Sequence, residues 1–526
     1  MVALLPNSVH RTIYFTGLIF LSLGILYSCP VMSMSIVLLG LNWLMERDYK
    51  RRIGLFLNNK TALLLSAVFF MHLLGLIWTA DMKYGLDDVR TKIPLFVLPF
   101  IISTTPRLSK KEFDTLLGFF IAGVLVTTLI GICILKGFSP IVVRDFRDIT
   151  PFVSHIRLSL MICLSVFILG YFSAGKISPL RRLCLSILIL WFVAFLAILE
   201  SLTGLSILAL VLLVLGISYF RSRKPWIGKT VLFFILVILA SAGWYVFSIS
   251  RSFVLARSVH ALPMEKFTPS GHLYNNDTTF PIVENGTYVY FAVCYEELKA
   301  GWEKRSAIPF YENDHKGNSI CQSLLRYMAS KGILNKNAET IAGLSAEDIH
   351  NIEDGVTNYK YQNMSSLNAR LYDAIWEIDV YFKGSNPSGH SITMRFEFWK
   401  TGWHILKKNL IWGIGTGDVK QAFQDQYKTD KSKLSDRWQL RAHDQYLSIA
   451  IAFGLVGLLL FVYSLIYPLI QNKMYRNYFY LVFWIILVVS FLTEDTLETQ
   501  AGVTIYALFN SLFLFAQPAD PESAES

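Results

Sequence analysis

Charge is what this 526-residue chain has least of: Asp, Glu, Lys and Arg make up 16% of it, against about 25% in soluble proteins. With 53% hydrophobic residues, an ordinary cytosolic enzyme is excluded, and so is disorder. Cysteine is scarce as well. Cys29, Cys133, Cys163 and Cys184 lie in or beside apolar runs, where a thiol behaves as a small hydrophobe. Cys294 and Cys321 fall in a polar region, and spacing alone leaves a disulfide between them open. There is no CxxC, no Cys/His metal pattern, no solenoid repeat and no low-complexity tract. A small-residue cleavage site before Pro30 is also missing, so the apolar stretch after Arg11 reads as a first spanning helix and not a removed leader.

Long apolar runs are abundant. A spanning helix needs about 20 mostly apolar residues, and such runs lie near 12–29, 31–45, 61–79, 113–135, 152–173, 183–200, 203–220, 228–249, 444–469 and 477–493. Two shorter ones lie near 91–104 and 500–516, the former carrying Lys92, Pro94 and Pro99. The pattern predicts an all-α polytopic membrane protein with about twelve transmembrane helices.

The basic residues test that count. With the N-terminus inside, the inner connectors hold seventeen Lys/Arg, among them Arg51, Lys110, Arg182, Arg223, Lys224 and Arg476. The short outer connectors hold five, Lys83, Arg90, Lys136, Arg144 and Arg147. This is the asymmetry of the positive-inside rule, and dropping one helix before the long polar region would break it. The net charge of +10 is therefore a topology signal, and no nucleic-acid partner is expected.

The expected organisation is helices 1–9 over 1–249, one large, mostly helical outer loop over 250–442, helices 10–12 over 443–516 and a disordered tail over 517–526. Within the loop, Ile320 to Met328 and Ser345 to Ile352 read as amphipathic helices and Thr287 to Val293 as strand-like.

The most informative stretch runs from Arg395 to Gly457. Arg395, Trp399 and Trp403 share a helix face by spacing. Gly413-Ile414-Gly415-Thr416-Gly417 is a glycine-rich turn, and His443-Asp444-Gln445-Tyr446-Leu447 marks re-entry into the membrane, with Gly454 and Gly457 beyond. Each piece alone reads as structural: interfacial anchoring, a turn, helix packing. Glu200, Glu494, Asp495 and Glu498 map to the outer ends of spans, the side of His443 and Arg157. Asp444 is not expected to pair with adjacent His443, and His72 and His404 read as structural.

In this order the pieces resemble the O-antigen ligase and polymerase superfamily. That pattern has an Arg closing a large loop, a Trp, a GxG turn, a His-x-x-Tyr-Leu and spaced glycines, here Arg395, Trp399, Gly413/Gly415, His443/Tyr446/Leu447 and Gly454/Gly457. Thr493-Glu494-Asp495 through Gln500-Ala501-Gly502-Val503 is similar to Bacteroidetes-type members. So are Glu284-Asn285-Gly286, Arg326-Tyr327 and Ile352-Glu353-Asp354-Gly355, which extends the likeness over nearly the whole chain.

The resemblance implies a metal-independent glycosyltransferase of the bacterial inner membrane, with no cofactor and its active site facing the periplasm. The implied donor is a glycan on undecaprenyl diphosphate; the implied acceptor is lipid A-core or another glycan. A departing diphosphate needs cations, and arginine's planar fork suits it. The acceptor hydroxyl needs a base, and histidine, with a pKa near ~6.5, fits. The implied catalytic residues are His443 and Arg395; the implied substrate-binding residues are Arg157, His155, Trp399, Gly413, Gly415, Tyr446 and Asp495. One departure matters: Leu202 stands where many members carry an arginine. Arg157, inside an apolar run, is expected to replace it. O-antigen ligation leads, with O-antigen polymerisation and protein O-glycosylation as alternatives; a glycan transporter is the rival of another class.

Overall fold

The computed structural model describes residues 5–518 apart from 142, 144–145, 223–224, 256–264 and 278–281. The tail from 519 on, and Arg144, Arg223 and Lys224, lie outside the described residues. The chain is 71% helical and divides into two compact units. The first comprises 1–140, 149–215 and 395–526; the second comprises 141–148 and 216–394.

The first unit contains α1 (Asn7–Tyr27), α2 (Cys29–Met45), α3 (Tyr49–Leu57), α4 (Lys60–Leu74), α5 (Met82–Lys92), α6 (Pro94–Thr104), α7 (Lys110–Leu135), α8 (His155–Ala174) and α9 (Pro179–Ile198). α10 (Leu202–Ser222) leads into the second unit, with α11 (Pro225–Leu255), α12 (Tyr295–Trp302), α13 (Ile320–Ser330), α14 (Ala338–Ala342), α15 (Ala346–Glu353) and α16 (Ser366–Phe382). α17 (Ser391–Lys408) leads back to α18 (Val419–Thr429), α19 (Gln445–Gln471), α20 (Tyr478–Ser490) and α21 (Gln500–Ser511).

Local sequence sets many of the boundaries. Ser28 caps α2 and Pro30 sits in its first turn, where a missing N–H costs nothing. Ser109 and Glu112 form a capping box at α7. Each of the twelve apolar runs falls on a helix. Among the described residues six helices are long and apolar enough to cross a membrane, or seven if α2 and α3, bent by 118°, count as one. The shorter ones have visible causes. α6 starts at Pro94 and contains Pro99, and α20 stops at Ser490 where the chain leaves for the 491–499 loop.

Packing gathers α1 with α2 and α7, α6 with α4 and α21, and α8 with α9 and α20. Leu18, Leu21, Leu98, Ile102, Val124, Ile162 and Leu508 are buried there. α9 instead exposes Leu180, Leu183, Ile187 and Leu190. An apolar stripe turned outward needs apolar surroundings, and the several apolar helices make this a multi-pass membrane protein.

The second unit is a small helical body with one two-stranded hairpin, β1 (Val283–Glu284) and β2 (Thr287–Tyr288). The two amphipathic stretches do form α13 and α15, and Trp302, Phe310, Leu324, Met328 and Ile352 fill its core. The motifs noted in this region supply its buried polar skeleton. Glu284 accepts from Arg326 Nε at 2.7 Å and from Asn358 at 2.9 Å, while Arg326 lies 3.6 Å over the Trp376 ring. Asn285, with φ +47°, holds the hairpin turn and donates to the Ser330 carbonyl at 2.9 Å. Tyr327 donates to Asp348 at 2.6 Å. Cys294 and Cys321 are both free thiols.

Candidate active site

The polar stretch 250–442 does not stay together: from Arg395 on it packs in the first unit. The reason is a break in α19. Gly454 has φ +65° and ψ −164° inside that helix, which releases backbone groups that need partners. The chain before and through the glycine turn supplies them. Leu455 N–H donates to the Leu410 carbonyl at 2.8 Å, while Ile414 and Gly415 N–H donate to Ile451 and Ala452 at 3.0 and 2.9 Å. A Cβ on Gly413 would lie 2.4 Å from the Ala452 backbone, and one on Gly415 2.6 Å from Thr79 Oγ1. These two glycines are therefore seated against protein backbone and side chain, and the turn they form steadies the helix that follows His443. Further along, Asp418 accepts the N–H groups of Ala80 and Asp81.

α17 lies against the start of α19 through Gly402, whose missing Cβ leaves room for Leu447 and Ile451. That contact brings Arg395 and Phe398 to His443. Arg395 Nη2 lies 3.4 Å from Glu494 Oε1 and from the Thr493 carbonyl. The Phe398 ring stands 5.5 Å from the imidazole. Trp399, one turn beyond Arg395, buries its indole N–H without a hydrogen-bond partner.

His443 itself has φ +47°, a conformation non-glycine residues rarely hold and which collects at functional sites. It precedes the α19 cap, Asp444, which accepts from Leu447 N–H at 2.8 Å and so is committed to the helix. Gln445, fully buried, takes the Leu497 N–H at 2.7 Å and gives its own backbone N–H to Phe491 at 2.8 Å. The 491–499 loop is thereby clamped to the root of α19. Its carboxylates meet the imidazole: His443 Nδ1 is 3.7 Å from Glu494 Oε2 and 3.7 Å from Asp495 Oδ1. Burial pushes the Glu494 carboxyl up, but His443, Arg395 and Arg157 outweigh it, leaving Glu494 below its ordinary value. For Asp495 burial wins over His443 and Arg441, and the carboxyl titrates above its ordinary value.

Arg157 stands in the first turn of α8 and lines a cavity of about 150 Å³ with Ser28, Cys29, Ser154, Thr499 and Gln500. The acidic charges that act on it most are Glu494 and Asp495, which ties it to the His443 group. Gly204, two residues after Leu202, is close-packed on Ser159 of the same turn, and its carbonyl accepts from the Cys163 thiol at 3.3 Å. Arg157 thus sits on the element beside the one bearing Leu202. His155 opens α8 but is not among the residues lining that cavity. Tyr446 donates to the Val488 carbonyl at 3.2 Å and packs on Phe461 and Phe491, so it ties α19 to α20.

Sequence reasoning missed a second charged group. Arg441 donates to Glu498 at 2.8 Å and lies 3.8 Å from Asp495. Glu498 also meets Lys92 at 3.3 Å; Lys92, fully buried, meets Asp88 at 2.5 Å, and Asp88 meets His72 at 3.1 Å. From Asp88 through Lys92 and Glu498 to Arg441 these charges alternate in sign. Burial favours the neutral form of Glu498, but Lys92 and Arg441 help overcome it and lower its pKa. Of this group the sequence marks Glu498 as a carboxylate at the outer end of a span; the i, i+4 spacing of Asp88 and Lys92 is a further signal it carries. The histidines read as structural do have partners: His72 in this series, and His404 with Asp430 at 3.0 Å.

Nδ1 of His443 and the oxygens of Glu494 and Asp495 lie within 4.8 Å of one another, close enough for a cation. Arg395, Arg441 and Arg157 already set positive charge against these carboxylates, so the group is balanced by guanidinium.

A polytopic helical membrane protein with arginines, a histidine and paired carboxylates at one site is the class these observations define. Residues 355–462 match the family model described as O-Antigen ligase, which supports membership of the O-antigen ligase and polymerase superfamily. The match includes Arg395, Trp399, Gly413, Gly415, His443 and Tyr446, and leaves out His155, Arg157, Glu494 and Asp495. No curated protein matches the chain.

Proposed function

We propose that this protein transfers a glycan from undecaprenyl diphosphate to an acceptor hydroxyl on the periplasmic side of the bacterial inner membrane, with O-antigen ligation to lipid A-core as the leading reading. The observation that carries this reading is the meeting of Arg395, His443, Glu494 and Asp495 at the N-terminal end of α19. The acceptor oxygen attacks the anomeric carbon, the bond from that carbon to the phosphate oxygen breaks, and the diphosphate leaves with the electron pair. His443 takes the hydroxyl proton. Arg395 and Arg157 face the negative charge that grows on the leaving group, an effect worth most where water is excluded. With guanidinium supplying that charge, the step is metal-independent. Asp495 sits beside the base, Trp399 offers its indole N–H near the donor arginine, and Gly413 and Gly415 hold the turn that positions the rest. His155 is retained as a substrate contact next to Arg157.

Purified protein in proteoliposomes, given an undecaprenyl diphosphate-linked glycan and candidate acceptors, tests this directly. Wild type transfers without added metal, and His443→Ala loses about 10²–10⁴-fold, the range for a general base. Native-rate transfer by His443→Ala, or labelling that places residue 443 in the cytosol, overturns the reading. Polymerisation uses the same donor chemistry, and gene disruption separates the two: a ligase leaves carrier-linked polymer accumulating, a polymerase leaves a single-repeat cap on the core.

A further inference from the structure

The two carboxylates beside His443 face different arginines. Asp495 faces Arg441, which Glu498 fixes at 2.8 Å, and Glu498 is fixed in turn by buried Lys92. Glu494 faces Arg395 instead: its Oε1 is 3.4 Å from Arg395 and its Oε2 3.7 Å from His443. Both distances, like the 3.7 and 3.8 Å from Asp495 to His443 and Arg441, exceed those of a tight charge-assisted pair, about 2.7–2.9 Å. One carboxylate is thus shared between the residue that would bind the donor and the residue that would accept the proton.

We propose that Glu494 is a positioning residue that couples the two half-sites: a diphosphate engaging Arg395 releases Glu494 to His443, so the base is readied only when donor is in place. This rests on the donor and base roles given above and goes beyond them. The physical reason is competition for one anion. A diphosphate offers Arg395 a bidentate partner, and the freed carboxylate then favours the imidazolium. Asp495 differs in its cationic neighbour: it faces Arg441 at 3.8 Å, an arginine that Glu498 already engages at 2.8 Å. The charged groups facing His443 are Arg441 and Asp444 on its own segment, Glu494, Asp495 and Glu498 on the loop before α21, Arg395 on α17 and Arg157 on α8. Of these, Glu494 contacts both Arg395 and His443.

The test uses the full-length protein in nanodiscs with farnesyl diphosphate as probe. Histidine C2 hydrogen–deuterium exchange, read by mass spectrometry across pH, gives the proton affinity of His443 itself. In wild type, saturating probe should make His443 hold its proton about tenfold more tightly, the low end of the effect of one nearby opposite charge. Asp495→Asn should keep most of that response, and Glu494→Gln should lose most of it while still binding the probe. Glu494→Asp should restore part of it. A full response in Glu494→Gln, or no response in wild type with probe bound, overturns the coupling alone. Probe binding indifferent to Arg395→Ala, or native-rate transfer by His443→Ala, overturns the underlying reading and the coupling with it.

Discussion

Arg441 and Glu498 form a charge-assisted hydrogen bond of 2.8 Å, and the same carboxylate is the counter-ion of Lys92, a lysine with no exposed surface. Two cations therefore share one half-buried anion, and three segments of chain meet at it: α5, the 439–444 segment and the 491–499 loop. Such a group tolerates loss of a member poorly, because Lys92 would be left with Asp88 and Arg441 with only the more distant Asp495.

Glu498→Ala should therefore cost about 3–5 kcal/mol of stability, the range for breaking a buried pair. The exposed pair of Arg51 and Asp48 provides the contrast, since Asp48→Ala should change stability by about 0–1 kcal/mol. Thermal unfolding of the two purified variants in the same detergent distinguishes them.

Gly454→Ala should prevent a stable native state. The new Cβ would meet the Ile411 carbonyl oxygen at 2.1 Å, at a φ of +65°, which adds backbone strain of about 1–3 kcal/mol to the steric conflict. Gly40→Ala, with nothing within 4 Å of its Cβ, should fold normally. Size-exclusion profiles and yields of the two variants check this.

Arg157→Ala should lower glycan transfer by about 10²-fold, the cost of removing one charge-stabilising donor, while Arg157→Lys should recover only part of it. Initial rates at saturating donor are the measurement. Wild-type rates for Arg157→Ala would remove Arg157 from the site and leave the Leu202 departure without a substitute.

Glu377 in the second unit gives a pH dependence. Burial, then Asp373, push its carboxyl up to about 7, against the opposing pull of Arg370 and the Ile392 N–H. The folded state thus binds this proton more tightly than the unfolded chain, whose carboxyl titrates near ~4.3. Its contribution to stability is full below that value and falls as pH rises toward about 7. Glu377→Gln should remove this slope. Hydrogen exchange of the α16 amides, compared between wild type and variant at pH 5 and pH 8, reads the difference.

Helix positions were legible because they are local. A run such as 113–135 has one stable arrangement in an apolar medium, and Ser109 with Glu112 marks where it starts. The candidate site was partly legible for a related reason: arginine, histidine and glycine at set intervals carry chemistry in their own side chains. Arg441 and Lys92 were not legible. Arg441 looks like an ordinary connector charge and Lys92 like an interruption at the start of a short apolar run, until Glu498, far along the chain, is brought between them.

What the amino-acid order determined alone was membrane character, the helical segments and the residue types able to hold a diphosphate and take a proton. Those follow from transfer free energy and side-chain chemistry, which act residue by residue. What only the tertiary structure decided was the company each residue keeps: Glu494 between Arg395 and His443, Asp495 beside Arg441, Gly413 filling the break at Gly454. Ion pairing and close packing depend on distances across hundreds of residues, and the chain sets those distances only once its helices have packed.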